Sequence, residues 1–192
     1  MTLIYSFVIN LLYLIIWVIS PFNPKARLWI NGRMGWRKKL QQKLPGKPVY
    51  WFHAASLGEF EQGRPVIEAL KKKLPQCTVV LTFYSPSGFE IRKNYPEADL
   101  VCYLPLDTSC NANKFISLIH PDAAFFIKYE YWYFYLRALN KSNIPVYLIS
   151  GLFRPDQTFF KWYGGWFRTE LRFISHFFLQ DQSSASLLRS HG

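Results

Sequence analysis

Acidic residues are missing from the first 58 of the chain's 192 positions; the first to appear is Glu59. No charge of either sign precedes Lys25. Cysteine is scarce. Cys77, Cys102 and Cys110 are odd in number and form no CxxC pair. That excludes a disulfide framework and a zinc ribbon, and leaves buried or free thiols in a reducing compartment. Internal repeats and low-complexity tracts are also lacking. Aromatic residues make up 19% and hydrophobic residues 50%, too much apolar surface for a disordered chain. The length suits one sizeable α/β domain and is short for two.

What charge there is lies unevenly. Lys25, Arg27, Arg33, Arg37, Lys38, Lys39, Lys43 and Lys47 all precede Glu59. The rest of the chain is nearly balanced, so most of the net +11 belongs to this arm. A basic arm of this kind meets phosphate, on nucleic acid or on an anionic membrane. The neighbouring sequence decides between them. Residues 3–19 read LIYSFVINLLYLIIWVI. A helix of about 18 residues spans roughly 27 Å, slightly short of a ~30 Å hydrocarbon core. A cleavable leader would carry a basic start and a small-residue cleavage site, and neither is present. A buried core helix is the other competitor. Cations directly after the apolar run favour a membrane anchor with the remainder on the cytoplasmic side. Nucleic acid gives no reason for the apolar run, so none is expected as a partner. The organisation expected is an anchor over 1–24, a basic juxtamembrane arm over 25–47 and a domain over 48–192.

From Pro48 onward, apolar runs alternate with helical patterns. Strands are predicted at 49–54, 78–83, 100–104, 123–128, 146–150 and 174–180. Helices are predicted near 59–74, 86–95, 108–119, 130–141 and 183–190. Several strand runs are continuously apolar, as expected when both faces are covered. The fold class is therefore α/β, a Rossmann-like parallel sheet with helices on both faces. The stretch 156–172 is ambiguous, because Gly164-Gly165 interrupts it. His176 falls in an apolar strand pattern and reads as a packed core residue.

Sheets of this type bind ligands beyond the carboxyl ends of their strands. The first such turn is His53-Ala54-Ala55-Ser56-Leu57-Gly58-Glu59. Ser56-x-x-Glu59 fits a capping box. The same glutamate, beside His53 and helix N-terminal amides, fits a general base. Both readings stand on sequence alone. A G-x-S-x-G nucleophile elbow is a poor match, since its first glycine is absent and no Asp-then-His order follows.

The run VYWFHAASLGE over 49–59 resembles the W-x-H-A-x-S-x-G-E signature of 3-deoxy-D-manno-octulosonic acid (Kdo) transferases. Thr82 through Gly88 is similar to that family's T-x-T-P-T-G turn, and Tyr103-Leu-Pro-Leu-Asp107 to its Y-L-P-x-D. Pro145–Ser150 and the segments 178–180 and 187–192 agree in order. The family's E-x-E-x-W-P-N appears as Lys128-Tyr-Glu130-Tyr-Trp132-Tyr-Phe134, with lysine for the first glutamate and no Pro-Asn pair.

The resemblance implies the amino-terminal half of a GT-B glycosyltransferase that moves Kdo from CMP-Kdo to the lipid A precursor at the inner membrane. It implies inversion, with Glu59 as general base, and needs no metal or other cofactor. The family's second domain, which binds most of CMP-Kdo, is expected to lie beyond this chain, which alone is expected to be inactive. Acceptor or phosphate contacts are expected at His53, Ser56, Gly58, Ser85, Ser87, Gly88, Lys128 and Glu130. Arg33, Arg37, Lys38, Lys39, Trp162 and Trp166 are the candidates for membrane or lipid contact. The competing reading is a non-catalytic, membrane-associated Rossmann-like binding module.

Overall fold

The computed structural model describes residues 1–40 and 48–191. Lys43 and Lys47 of the basic arm lie outside the described residues. Six strands form one sheet: β1 (Val49–Ala54), β2 (Thr78–Phe83), β3 (Leu100–Tyr103), β4 (Ala123–Ile127), β5 (Val146–Gly151) and β6 (His176–Leu179). All neighbours pair in parallel, in the order β3-β2-β1-β4-β5-β6. The chain builds outward from β1 through β2 and β3, then returns across β1 to start β4. That reversal opens a crevice at the carboxyl ends of β1 and β4, where such sheets hold ligands.

Side chains alternate across the strands, and each set buries against its own helices. Trp51, Val80, Phe126 and Leu148 join one core with Phe115 of α6 (Ser109–Ile119) and Tyr135, Leu136 and Leu139 of α7 (Tyr133–Lys141). Phe52, Leu81, Ile127 and Ile149 join the other with Phe60 and Ile67 of α4 (Leu57–Lys73) and Phe89 of α5 (Pro86–Arg92). The continuous apolar runs of the sequence are thus strands covered on both sides. β6 is the exception. It lies at the sheet edge, its residues alternate between exposed and half-buried, and His176 faces solvent. The expectation of a core histidine there is corrected, because an edge strand has one side left to cover. The ambiguous 156–172 stretch divides into a 3₁₀ turn (Thr158–Phe160) and a short helix, α8 (Gly165–Leu171). Helix α9 (Gln182–His191) follows β6.

Among the described residues, three helices precede the sheet. α1 (Thr2–Ile19) presents Thr2, Tyr5, Ser6, Ile9 and Ile16 to the protein and leaves most of its other residues exposed. These five positions follow the helical period and mark one face. α2 (Pro24–Arg33) starts on Asn23, whose side chain accepts from Lys25 N–H at 2.9 Å and Ala26 N–H at 3.1 Å. Pro24 at its first position lacks the donor that would otherwise be orphaned. α2 and α3 (Trp36–Leu40) carry the first part of the basic arm, and Trp29, Ile30, Arg33 and Leu40 of these helices are buried.

Candidate active site

The crevice between β1 and β4 holds a chain of buried polar groups. His53, next to the last residue of β1, is fully buried, and its Nε2 lies 2.9 Å from Oε2 of Glu130, in the loop after β4. His53 Nδ1 lies 2.8 Å from the Thr82 hydroxyl on β2, and that hydroxyl accepts from Trp51 Nε1–H at 2.8 Å. The Trp132 indole N–H donates to the same Glu130 oxygen at 2.5 Å. Every member has a partner: with Thr82 Oγ–H on Nδ1, Nε2–H goes to Glu130, and with Thr82 Oγ–H on Phe52 O at 3.3 Å, Nδ1 can donate to Thr82 instead. A buried polar network that closes in this way fixes its side chains in one arrangement.

Tyr84 stacks on Trp132, with centroids 4.6 Å apart, and forms a wall of the site. Behind it lies Arg33, 7% exposed. Its guanidinium donates to Leu104 O and Tyr84 O, each at 2.8 Å, and to Trp29 O at 3.0 Å. It also sits 3.8 Å over the Trp29 ring. Desolvation lowers its pKa to about 10. Arg33 is therefore not a lipid contact. Its charge is spent on carbonyls and aromatic faces that bind α2 to the loops after β2 and β3. Arg37, Lys38 and Lys39 are exposed, as a surface role requires. Trp162 is 93% exposed. Trp166 is half-buried instead, packed on Tyr133 at 4.8 Å and Tyr5 at 5.9 Å, which removes it from the lipid-facing set.

Glu59 stands on the first turn of α4 and reaches back, its Oε2 accepting from Ala55 N–H at 2.6 Å. The glutamate half of a capping box is formed. The serine half is not, because Ser56 makes no side-chain cap bond. Glu59 is half-buried, and its pKa is raised by desolvation first and then by the charge of Glu130; the Ala55 bond opposes both. A carboxylate held by one oxygen and lifted above its ordinary range is suited to accept a proton.

The glycines of the two turns differ. A Cβ on Gly58 would meet nothing within 4 Å, so the space over this helix start is open. A Cβ on Gly88 would collide with the Phe83 ring and crowd Leu57 N. Gly88 is required by packing, and its N–H donates to Ser85 O at 3.3 Å. Ser85 caps α5, accepting from Ser87 N–H at 3.2 Å, and its hydroxyl lies 2.9 Å from that of Ser87. His53 and Glu130 are both buried, and Trp132 bonds to Glu130 above them. Lys128 adopts φ +71, a left-handed conformation that costs a side-chain-bearing residue roughly 1–2 kcal/mol. Its Nζ sits 5.2 Å over the Tyr129 ring, whose hydroxyl accepts from Arg154 Nη2 at 3.3 Å.

Thr82, Tyr84, Trp132 and Asp107 were not among the expected site residues. Trp132 lies in the family-like K-Y-E-Y-W stretch, and Asp107 closes the Y-L-P-L-D stretch, so the signal was local. No such signal marks Thr82 as the partner of His53. Among the described residues, no three His, Cys, Asp or Glu side chains gather as a metal site would need.

Solved structures with a similar fold include a UDP-N-acetylglucosamine 2-epimerase of Methanocaldococcus jannaschii, at TM-score 0.53 and 15% identity over 74% of this chain and 42% of that one. A putative enzyme of the same name from Listeria monocytogenes gives 0.56 and 11%, covering 75% and 41%. At these identities the likeness concerns fold. Sequence relatives speak to family. The 3-deoxy-D-manno-octulosonic acid transferase of Chlamydia muridarum is 31% identical over 116 residues, 59% of this chain and 27% of its own length. That of Haemophilus influenzae is 26% identical over 129 residues, 67% of this chain and 30% of its own. The chain thus aligns with less than a third of either relative. Residues 30–192 match the family model described as 3-deoxy-D-manno-octulosonic-acid transferase (kdotransferase), and the chain belongs to that family of glycosyltransferases.

Proposed function

We propose that this chain supplies the acceptor side and the catalytic base of an inverting Kdo transferase in lipopolysaccharide biosynthesis. The donor is CMP-Kdo, held largely by a second domain, and the acceptor is the lipid A precursor. Glu59 takes the proton from an acceptor hydroxyl. The resulting oxygen attacks the anomeric carbon of Kdo, the bond to CMP breaks, and CMP leaves with the electron pair. No step calls for a metal.

The observation that carries this reading is the setting of Glu59. One oxygen is tied to the Ala55 amide, burial and Glu130 raise its proton affinity, and open space lies over Gly58 beside it. Ser56 and Gly58 border that space, and Ser85 and Ser87 lie across the turn as acceptor contacts. Lys128, at the end of β4, is assigned to an acceptor phosphate. The exposed apolar face of α1, with Arg37, Lys38 and Lys39 nearby in sequence, is assigned to the cytoplasmic face of the inner membrane.

Glu59→Gln, made in a chain that carries the donor domain, tests the base. Turnover should fall by about 10²–10⁴-fold, the usual worth of a general base. The melting temperature should stay within a few degrees, since the amide oxygen can still accept from Ala55 N–H. Loss of stability in step with loss of turnover would mean that Glu59 is a cap and not a base.

A further inference from the structure

Helix α1 is seated on the domain by polar groups as well as by apolar contact. Tyr5 Oη–H donates to Asp107 Oδ2 at 2.5 Å. Asp107, in the loop after β3, is 1% exposed. Its oxygens also accept from the N–H groups of Phe134 and Tyr135, each at 3.2 Å. These are the second and third residues of α7. The N-cap of that helix is Trp132, which makes no side-chain cap bond of its own. Asp107 therefore does the capping from another loop, with a negative charge at the positive end of the helix.

The surroundings hold Tyr5 in that position. Its ring packs against Tyr133, Phe134 and Trp166 at 5.4, 5.7 and 5.9 Å. Thr2 Oγ1 lies 3.0 Å from the Tyr133 hydroxyl, which also accepts from Arg137 at 2.9 Å. Among the described residues, Tyr5 is the one side chain that donates to Asp107. A helix serving only to hold the protein at a membrane needs none of these bonds. They lead into the crevice: Tyr5 to Asp107, Asp107 to the first turn of α7, and that turn to the Trp132 indole on Glu130.

We propose that Tyr5 is a positioning residue of the active site: through Asp107 its hydroxyl fixes the start of α7, and with it the Trp132 indole that holds Glu130 toward His53. Outer partners of this kind orient the groups that touch a substrate without touching it themselves. The consequence for turnover rests on the base role proposed for Glu59; the structural coupling does not.

The test uses the 192-residue chain in detergent micelles, without substrate. Tyr5→Phe keeps the ring and removes the hydroxyl. Hydrogen exchange is read by NMR at the Phe134 and Tyr135 amides and at the Trp132 indole N–H. All three should exchange about tenfold faster, the scale of one lost hydrogen bond to a charged group, while amides in β2 and α5 stay unchanged. Phe7→Ala, on the exposed face of α1, should leave all three as they are. Unchanged exchange at the Trp132 indole in Tyr5→Phe would sink the proposal and leave the base assignment of Glu59 intact. If Tyr5→Phe loosens the whole fold, Asp107→Asn decides: it keeps the shape and weakens the cap, and the same three protons must still respond ahead of the β2 amides.

Discussion

Two glutamates lie buried in this domain in opposite circumstances. Glu130, 6% exposed, has His53 Nε2 on one side and the Trp132 indole on the other. Glu170, 3% exposed on α8, has an oxygen with no hydrogen-bond partner among the described residues. Desolvation, followed by the charge of Asp107, pushes the Glu170 pKa up to about 8. Asp107 itself is pushed up to about 6 by burial, against the pull of the Tyr5, Phe134 and Tyr135 donors. The crevice is thus furnished with donors, and so is Asp107, whereas Glu170 beside it on α8 is left with an unpaired oxygen among the described residues. Burial alone does not make a site; matched partners do.

Breaking the matched side should cost most. His53→Ala leaves Glu130 buried with the indole as its one donor among the described residues. The expected loss is about 3–5 kcal/mol, the usual penalty for stripping a partner from a buried charge, read by urea denaturation. The unmatched side should respond in the opposite direction. Folded Glu170 keeps its proton up to about 8, while the unfolded carboxyl loses it near its ordinary 4.5. Stability from this group is therefore full below about 4.5 and falls as pH rises toward 8. Glu170→Gln should flatten that fall and raise Tm at pH 8 by about 5 °C, with little effect at pH 4. A melting curve that keeps its pH dependence in the variant would show that the charge of Glu170 is not its source.

The smallest effect sharpens the comparison from the crevice side. Lys128 holds a left-handed φ of +71 beside a network that is otherwise satisfied. Lys128→Gly should relieve that strain and stabilise the fold by about 1 kcal/mol, while weakening acceptor binding. Thermal melting and acceptor KM in the two-domain enzyme check both halves. Higher stability with unchanged KM would leave the lysine without a ligand role.

The sheet was readable in the sequence because strands covered on both faces leave continuous apolar runs. β1 and β2 begin and end where VYWFHA and TVVLTF do. β6 was overextended, since ISHFFLQ has the same composition at an edge where half the side chains face water. The site was readable where its residues are local. The Ala55–Glu59 contact spans four positions and follows from the turn. The His53–Glu130 pair spans 77 positions, and only the return from β3 across β1 to β4 brings it together. Arg33 shows the same limit. An arginine in a run of cations looks like surface charge, and nothing in its neighbours in sequence tells that Leu104 and Tyr84 carbonyls will surround it.

Helix α1 touches the protein near its beginning, at Thr2 and Tyr5, and again farther along, where Tyr13 meets Trp29 of α2 at 6.2 Å. The same helix is long and apolar enough to cross a membrane. Its few ties to the domain are therefore what decide whether it lies along the protein or leaves it, and Tyr5 and Tyr13 are among the side chains that carry them.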